Sequence, residues 1–205
     1  MPEPSIVPAP AGLRLFVAVP LPPDVVRRAT AVVARLAEHG DRVRWVDSRQ
    51  LHLTLSFLGD DVPGERVPAI TAAIAHACRG SLPFAIACGG LGRFPARGRP
   101  RVVWLGVTEG VEHLVRLQAA VARQLEPLGF PREARAWQPH VTLGRLPDRG
   151  RFVSGLAERL EAAIAAETAA SAGGGIVEQV ILYASDRTPA GPVHRPLATI
   201  RLAGA

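Results

Sequence analysis

Two short stretches, residues 51–55 and 139–143, limit what this chain can fold into more than any other feature. The first reads LHLTL and the second PHVTL, so apolar residues alternate with a histidine and a threonine in both. Successive side chains of a β-strand point to opposite faces, so each stretch predicts a strand with one apolar face and one face carrying His-x-Thr. His140 follows His52 by 88 residues.

Chance explains one such triplet more easily than two. With six histidines in 205 residues, random placement gives roughly 0.2 His-x-Thr triplets per chain. Two triplets, both followed by Leu and both in alternating stretches, favour a shared function. The alternative is that each is a half-buried strand whose polar face is only solvated.

Length and composition predict a soluble protein. A chain of this length buries roughly 70% of its unfolded surface and is short for two independent domains. Its hydrophobic share of 48% is that of an ordinary globular protein, and no apolar run approaches the roughly 18 residues that span a bilayer. Residues 1–12 lack the regions of a signal peptide. We expect a flexible Pro-rich tail at 1–12, a single domain at 13–205, no membrane association and a cytoplasmic protein.

The basic residues are all arginine. There are 24 of them and no lysine, which gives a net charge of +6. Codon bias in a GC-rich genome accounts for the missing lysine, but the excess charge still attracts polyanions, and guanidinium groups match phosphate oxygens. Nucleic acid or a nucleotide is therefore a plausible partner. Cys78 and Cys88 are too few for a disulfide framework or a metal cluster and are expected in the core.

The remaining pattern alternates helices and strands. Helices are predicted at about 22–39, 65–79, 111–128 and 152–170, and further strands at 13–19, 42–46, 84–88, 101–107, 176–184 and 193–202. Strand 42–46 is expected to pair with the first His-x-Thr strand, and Pro196 places the last strand at a sheet edge. Residues 173–175 are expected to form a flexible turn. Residues 89–101, with four Gly, two Pro and four Arg, are expected to form a loop, either a solvated connector or a basic arm near a phosphate site.

The order strand, helix, strand, strand precedes both His-x-Thr motifs and suggests an internal duplication. The fold class expected is α+β and bilobal, with two pseudo-symmetric antiparallel sheets that line a central cleft and helices packed outside. A pseudo-twofold axis would then bring His52 and His140 to one cleft.

The segments HLTLSFLG and PHVTLGR, with LRLFVAVPLP upstream and RPRVVWLGV between them, resemble the two-histidine phosphoesterase superfamily. Within it they are most similar to the RNA 2′,3′-cyclic phosphodiesterase branch, also called 2′-5′ RNA ligases. The similarity runs from about Leu13 to Leu202. It implies the same bilobal arrangement, and the pair Phe94-Pro95 resembles a Phe-Pro that similar families carry at this place.

Opening a 2′,3′-cyclic phosphate requires one group that deprotonates water and one that protonates the departing ribose oxygen. Histidine suits both tasks because its reference pKa of about 6.5 lies near working pH. The resemblance implies that His52 is the proton donor and His140 the proton acceptor. No metal and no cofactor is expected, since no residues show ligand spacing and Walker and GxGxxG motifs are absent.

Other residues are candidate substrate contacts. Thr54 and Thr142 lie two positions after each histidine, where a hydroxyl can donate to a phosphoryl oxygen, although threonine also favours strands generally. Arg145 matches an arginine of the family pattern, but plain alternation sends it to the face opposite His140 unless the strand bulges near Gly144. Phe57 is a candidate base contact, like Trp45, or else a core residue.

His194 stands where similar sequences often have tyrosine, and no role is assigned to it.

The leading hypothesis is hydrolysis of RNA 2′,3′-cyclic phosphate ends to 2′-phosphate, with reversible 2′-5′ ligation as an additional reaction. The partner is then RNA or an oligonucleotide with a cyclic phosphate end, and a monomer is expected. One alternative keeps the site and changes the substrate to a small cyclic or 2′-5′ linked nucleotide. Another is a non-catalytic RNA-binding module, against which the complete His and Thr pairs argue.

Overall fold

The computed structural model describes residues 12–37, 43–132, 136–146, 156–167, 173–188 and 191–204. The predicted tail at 1–12 lies outside these ranges except for Gly12. The strands are β1 (Leu13–Pro20), β2 (Arg44–Trp45), β3 (His52–Val62), β4 (Phe84–Phe94), β5 (Val102–Glu109), β6 (His140–Arg145), β7 (Gly173–Val177), β8 (Gln179–Thr188) and β9 (Gly191–Arg201). The helices are α1 (Pro23–Ala37), α2 (Val67–Cys78), α3 (Val111–Leu125) and α4 (Leu156–Glu167).

The strands form one antiparallel sheet made of two halves. Its order is β7-β4-β5-β6-β3-β1-β8-β9, with β2 added beside β6. The halves β7-β4-β5-β6 and β3-β1-β8-β9 join where Leu53 of β3 pairs with Val141 of β6, a contact that we call the seam. Each half thus contributes one His-x-Thr strand to the middle of the sheet. The α+β class and the two pseudo-symmetric halves are confirmed, and the two sheets predicted separately are continuous through the seam.

The order of elements also repeats. The succession β1-α1-β3-α2-β4 is followed by β5-α3-β6-α4-β8, with β7 and β9 as the outer strands of the two halves. In each succession the last strand crosses to the other half, since β4 pairs with β5 and β8 pairs with β1. The position of β9 at the edge is as Pro196 predicted.

The helices cover the apolar face of the sheet. Leu53, Leu55, Val141 and Leu143 are all buried on this face, in one continuous hydrophobic core. Helix α1 contributes Val25, Ala29 and Val32 to that core, and α3 contributes Leu114, Leu117 and Val121. The opposite face, with the histidines and threonines, is left to solvent.

Both central strands carry a bulge directly after their threonine. In β3, Thr54 pairs with Ala18 and Ser56 with Val17, so Leu55 is an extra residue. In β6, Thr142 pairs with Trp104 and Gly144 with Val103, so Leu143 is an extra residue. A bulge of this kind reverses the alternation of the residues that follow. Ser56 accordingly lies opposite buried Val17 and not on the face of Thr54.

Strand β2 does not pair with β3, and the prediction that it would is wrong. Arg44 and Trp45 pair with Arg145 and Gly144 of β6, and the Val46 amide donates to the Leu143 carbonyl at 2.8 Å. Among the described residues, β3 pairs with β6 only at the seam. The rest of that edge of β6 is therefore available to pair with β2. A turn at 48–50, capped by the Asp47 carboxylate, then redirects the chain into β3.

Two glycine-rich stretches predicted as loop and turn are strands. Strand β4 continues through 89–94, and only 95–101 form the connection to β5. A Cβ at Gly92 would lie 2.2 Å from the Trp104 ring, so glycine lets the indole cover the strand. Residues 173–175 belong to β7, where a Cβ at Gly175 would lie 2.4 Å from Pro22. The apolar run predicted as one strand at 176–184 is divided at Glu178 between β7 and β8, which lie in opposite halves.

In the part of the chain that the structure describes, none of the helices has the length and apolar character needed to cross a membrane.

Candidate active site

The two His-x-Thr pairs lie side by side at the seam. Because β3 and β6 are antiparallel and Leu53 pairs with Val141, His52 lies opposite Thr142 and Thr54 lies opposite His140. The imidazoles thus occupy one diagonal of a four-residue frame and the hydroxyls the other. Diagonal neighbours on adjacent strands are roughly 7–8 Å apart, which leaves space for a tetrahedral phosphorus between them. We call the sheet face around this frame the cleft.

Both imidazoles are oriented in the same way by the backbone. Nδ1 of His52 lies 2.7 Å from the Gln50 carbonyl oxygen, and Nδ1 of His140 lies 2.8 Å from the Gln138 carbonyl oxygen. A carbonyl oxygen only accepts, so Nδ1 carries the proton in both rings. Nε2 is then left as the nitrogen that gains or loses a proton, which is the arrangement that a general acid or base requires.

Aromatic side chains hold each imidazole from the side. His52 lies 4.8 Å from the Phe16 ring and 6.4 Å from the Tyr183 ring, measured between centroids. His140 meets the Phe94 ring edge to face at 5.0 Å and lies 6.1 Å from Trp104. Phe94 is therefore a cleft residue, and the Phe94-Pro95 peptide bond is cis.

Burial makes His52 a weak base in the empty cleft. Desolvation lowers its pKa to about 4, although the hydrogen bond to the Gln50 carbonyl acts in the opposite direction. A positive charge on His194, Arg145 or His140 lowers the pKa of His52 further.

Arg145 reaches the cleft because of the bulge in β6. After the extra residue Leu143, Arg145 pairs with Val102, which lies on the same face as Trp104 and Thr142. Arg145 was expected to reach the face of His140 only if the strand bulged near Gly144, and the structure has this bulge. Burial and the charge of Arg14 lower the pKa of Arg145, so positive charges are concentrated at this end of the cleft.

Phe57 also lies on the cleft side. The alternation of 51–57 placed it with the leucines, but the bulge at Leu55 turns it to the face of Phe16, with which it pairs. Its exposed fraction is 43%, so its interpretation as a core residue is wrong. The Arg14 guanidinium covers its ring at 4.4 Å from the centroid. Trp45, by contrast, is half-buried and packs against the core.

An arginine-rich connection lies beside the Arg145 end of β6. Residues 95–101, which we call the arginine hairpin, carry Arg97, Arg99 and Arg101, all exposed. The Arg101 amide donates to the Phe94 carbonyl at 2.7 Å, and its own carbonyl accepts from Leu146 at 2.9 Å. The base of the hairpin is thereby attached to Phe94 and to the residue after Arg145.

Sequence reasoning missed several cleft residues. Arg14, Phe16 and Tyr183 gave no signal, because their placement depends on which strands become neighbours. His194 was left without a role, yet its ring lies 5.2 Å from that of His52. One signal was present and unused, namely the glutamine two residues before each histidine, in QLHLTL and QPHVTL.

Comparison with known proteins identifies relatives of this chain. The chain matches the model of the 2′-5′ RNA ligase superfamily over residues 16–188. It is 30% identical over 195 residues to a protein of Thermotoga maritima named RNA 2′,3′-cyclic phosphodiesterase, covering 94% of this chain and 97% of that one. An Archaeoglobus fulgidus protein of the same name is 33% identical, over 90% of this chain and 98% of its own.

Solved structures share the architecture. The crystal structure of the Thermus thermophilus protein TT0787 aligns with a TM-score of 0.75 and 28% identity, over 94% of this chain and 99% of that one. Escherichia coli LigT in complex with 3′-AMP aligns with a TM-score of 0.70 and 26% identity, over 93% and 98% of the two chains.

Proposed function

Because this chain belongs to the 2′-5′ RNA ligase superfamily, we propose that it hydrolyses the 2′,3′-cyclic phosphate ends of RNA to 2′-phosphate ends. Cyclic phosphodiesterase is the activity that its curated relatives carry in their names, and it is the activity we assign here. The observation that carries the mechanism is the frame at the seam, in which two imidazoles lie on one diagonal and two hydroxyls on the other.

The frame fits in-line displacement at phosphorus. Nε2 of His140 accepts a proton from water as the water oxygen bonds to phosphorus, and the bond from phosphorus to the ribose O3′ breaks on the opposite side. Nε2–H of His52 protonates O3′ as it leaves, which gives a 3′-hydroxyl and a 2′-phosphate. General acid–base catalysis of this kind contributes roughly 10²–10⁴-fold for each group. If the 5′-hydroxyl of another strand replaces water, the reverse of the cleavage step gives a 2′-5′ linkage.

Thr54, Thr142 and Arg145 act on the charge of the phosphoryl group. The two hydroxyls lie on the remaining diagonal, where they donate to the nonbridging oxygens as negative charge develops. The guanidinium of Arg145 adds a positive charge on the same face, and its planar donors match phosphate oxygens. Phe57 offers an exposed aromatic face on which a nucleobase can stack.

The substrate itself prepares His52 as a donor. In the empty cleft its pKa of about 4 leaves the ring neutral near pH 7. A phosphate anion between the imidazoles favours the charged form, because an opposite charge within a few ångströms raises a histidine pKa. The donor is therefore protonated together with substrate binding.

An assay with a synthetic oligoribonucleotide ending in a 2′,3′-cyclic phosphate tests the proposal. We expect complete conversion to the 2′-phosphate product in the presence of EDTA, with a bell-shaped pH dependence, because both proton transfers are made by side chains. The product position is read by resistance of the phosphate to a 3′-specific phosphatase. Unchanged substrate at high enzyme concentration contradicts the proposal.

The arginine hairpin favours RNA over a small nucleotide as substrate. Its base lies beside Arg145 of β6, so Arg97 and two further exposed arginines extend the positive charge outward from the frame. Several neighbouring guanidinium groups bind the phosphates of a polynucleotide, so they can contact phosphates farther along an RNA chain.

Comparing substrates of different length tests this choice. We expect kcat/KM to be higher for an oligonucleotide than for a cyclic mononucleotide, and Arg97→Ala to reduce only the oligonucleotide value, with a smaller salt dependence. Arg123→Ala, an exposed arginine of α3 on the helical side, is the matched control. Equal values for both substrates in the unmodified protein favour a small cyclic nucleotide instead.

A further inference from the structure

His194 is the third imidazole at the His52 side of the cleft. It lies on β9 and pairs with Ser185 of β8. Its ring meets His52 edge to face, with a centroid distance of 5.2 Å and an interplanar angle of 86°, and meets Phe16 at 4.8 Å and 74°. The mechanism proposed above makes no use of this ring, although it is as close to His52 as the aromatic residues that hold His52 in place.

The two nitrogens of His194 differ in their surroundings. Nδ1 is buried and has no hydrogen-bond partner among the described residues, whereas the residue as a whole is half-buried. Nε2 is therefore the nitrogen that a molecule in the cleft can reach. A proton on a buried Nδ1 without an acceptor is unfavourable, so the neutral tautomer with its proton on Nε2 is preferred. That tautomer presents an N–H donor toward the cleft.

The charged groups that face His194 are mostly basic. Burial and the charge of Arg14 on β1 both lower its pKa, and Arg14 itself pairs with Asp60 of β3. His52 on β3 faces the ring, and Tyr183 on β8 lies 6.4 Å away. Asp186, one residue farther along β8, pairs with Arg195. Both effects on the pKa favour the neutral ring of His194. An anion that enters the cleft acts in the opposite direction, because its charge favours the imidazolium and offsets the cost of a second proton on Nδ1.

We propose that His194 binds phosphate through its Nε2–H and favours the doubly charged 2′-phosphate product over the cyclic substrate. The inference rests on the proposed function only for the identity of that product. The cyclic diester carries one negative charge, whereas a terminal phosphate has a second pKa near 6 and carries about two at neutral pH. An additional donor that becomes a cation beside an anion therefore contributes more to product binding, and the product inhibits the enzyme.

Calorimetric titration of the full chain with inorganic phosphate, and with an oligonucleotide ending in 2′-phosphate, tests the proposal between pH 5.5 and 7.5. His194→Gln keeps a neutral donor that does not titrate, and His194→Phe removes the donor. At pH 7.5 we expect His194→Phe to weaken binding about three- to tenfold and His194→Gln less than that. At pH 5.5 we expect both variants to bind about tenfold more weakly than the unmodified protein.

The affinity of a variant divided by that of the unmodified protein, measured at each pH, gives the contribution of His194 to phosphate binding. Protonation of the phosphate and of the other histidines changes the affinity of the variant and of the unmodified protein alike. To first order, these changes cancel when one affinity is divided by the other. His76→Gln, at an exposed position of α2, is the control, and its ratio should stay near one at every pH. A ratio for His194→Gln that does not change with pH overturns the proposal, as does equal binding by His194→Gln and His194→Phe, which indicates a packing role only.

Phosphate binding is measured without turnover, so the result is separate from the proposed function. If phosphate binds in a His194-dependent manner but cyclic phosphate ends are not opened, the proposed function fails and this inference stands. If cyclic ends are opened but the substitutions at His194 leave product affinity unchanged, the inference fails and the proposed function stands.

Discussion

The imidazoles of His52 and His140 are each fixed by a carbonyl group that lies two residues earlier in the chain. The acceptors are the main-chain oxygens of Gln50 and Gln138, so no other side chain is needed to select the tautomer. This differs from sites in which a carboxylate orients the histidine. Because the acceptor is neutral, Nε2 also remains a weaker base than it would be beside a carboxylate.

Replacing either histidine should remove nearly all activity. For His52→Ala and His140→Ala we expect kcat to fall by about 10²–10⁴-fold, since each variant lacks one of the two proton transfers. Both side chains are half-buried on the cleft face and lie outside the core, so the far-ultraviolet circular dichroism spectrum should be unchanged. Steady-state assays with the cyclic oligonucleotide give the rates. Full activity in either variant would contradict the two-histidine mechanism.

Replacing either threonine should affect the rate more than substrate affinity. Thr54→Val and Thr142→Val keep the shape of the side chain and its preference for strands, so only the hydroxyl is lost. We expect kcat to fall about tenfold to a hundredfold, with KM changed little, because the hydroxyl donates to charge that develops in the transition state. Thr108→Val, on β5 but outside the frame, serves as a control. A change confined to KM would show that the hydroxyls act in ground-state binding.

At the scale of single elements, the sequence pattern predicted the two central strands but not their bulges. Alternation alone reveals the face of each residue only while the partner strand keeps the same register. The extra residues Leu55 and Leu143 become visible only from the pairing with β1 and β5. Phe57 and Arg145 each lie five residues after a histidine, and the two bulges turn both side chains to the cleft. The same cause therefore explains why Phe57 is not a core residue and why Arg145 can reach the face of His140.

Strand β4 shows why glycine content misled the prediction of loops. Glycine clusters usually indicate turns, but here Gly92 leaves room for the indole of Trp104 and Gly106 approaches the Gly89 carbonyl oxygen of the next strand. The residue that requires the glycine lies on a different strand, so no local pattern could have identified it.

Adding a single methyl group at Gly92 tests this packing. In Gly92→Ala the new Cβ would lie 2.2 Å from the Trp104 ring, so the indole must move. We expect a loss of about 1–3 kcal/mol in the free energy of unfolding and reduced kcat, because Trp104 packs beside His140. Gly64→Ala, where nothing lies within 4 Å of the new Cβ, is the control. Urea unfolding measures both, and equal stability of the two variants would contradict the argument.

At the scale of the whole molecule, the sequence predicted that the two His-x-Thr motifs share one cleft. It did not predict that their strands are neighbours in one sheet. Two matching motifs and a repeated order of elements predicted two halves with His52 and His140 in one cleft. The sequence did not reveal that β3 and β6 are neighbours joined at Leu53 and Val141, because strand order depends on tertiary packing. The two motifs therefore do not face each other from separate sheets, and the in-line displacement that we propose uses the diagonal of the frame.

The low pKa of His52 links stability to pH. Its value of about 4 lies below the unfolded value of about 6.5, so between these values the unfolded chain binds more protons. The stability that His52 contributes when neutral is present above pH 6.5 and is lost as pH falls to 4. We expect the free energy of unfolding to decrease over this range by about 3 kcal/mol more in the unmodified protein than in His52→Gln.

Urea unfolding at a series of pH values measures this difference. His76→Gln should follow the unmodified protein in parallel, because that histidine is exposed on α2. Parallel curves for His52→Gln and the unmodified protein would show that His52 has an ordinary pKa in the folded state.

The pairing of β1 with β8 means that the sheet can be completed only late in synthesis. β1 lies between β3, which follows it closely in the chain, and β8, which is made much later. His52 thus leaves the ribosome long before the strand that completes its half of the sheet, and His194 arrives later still. A nascent chain therefore contains His52 and His140 before it contains the strands that complete their sheet, and we expect activity only after β8 and β9 have joined it.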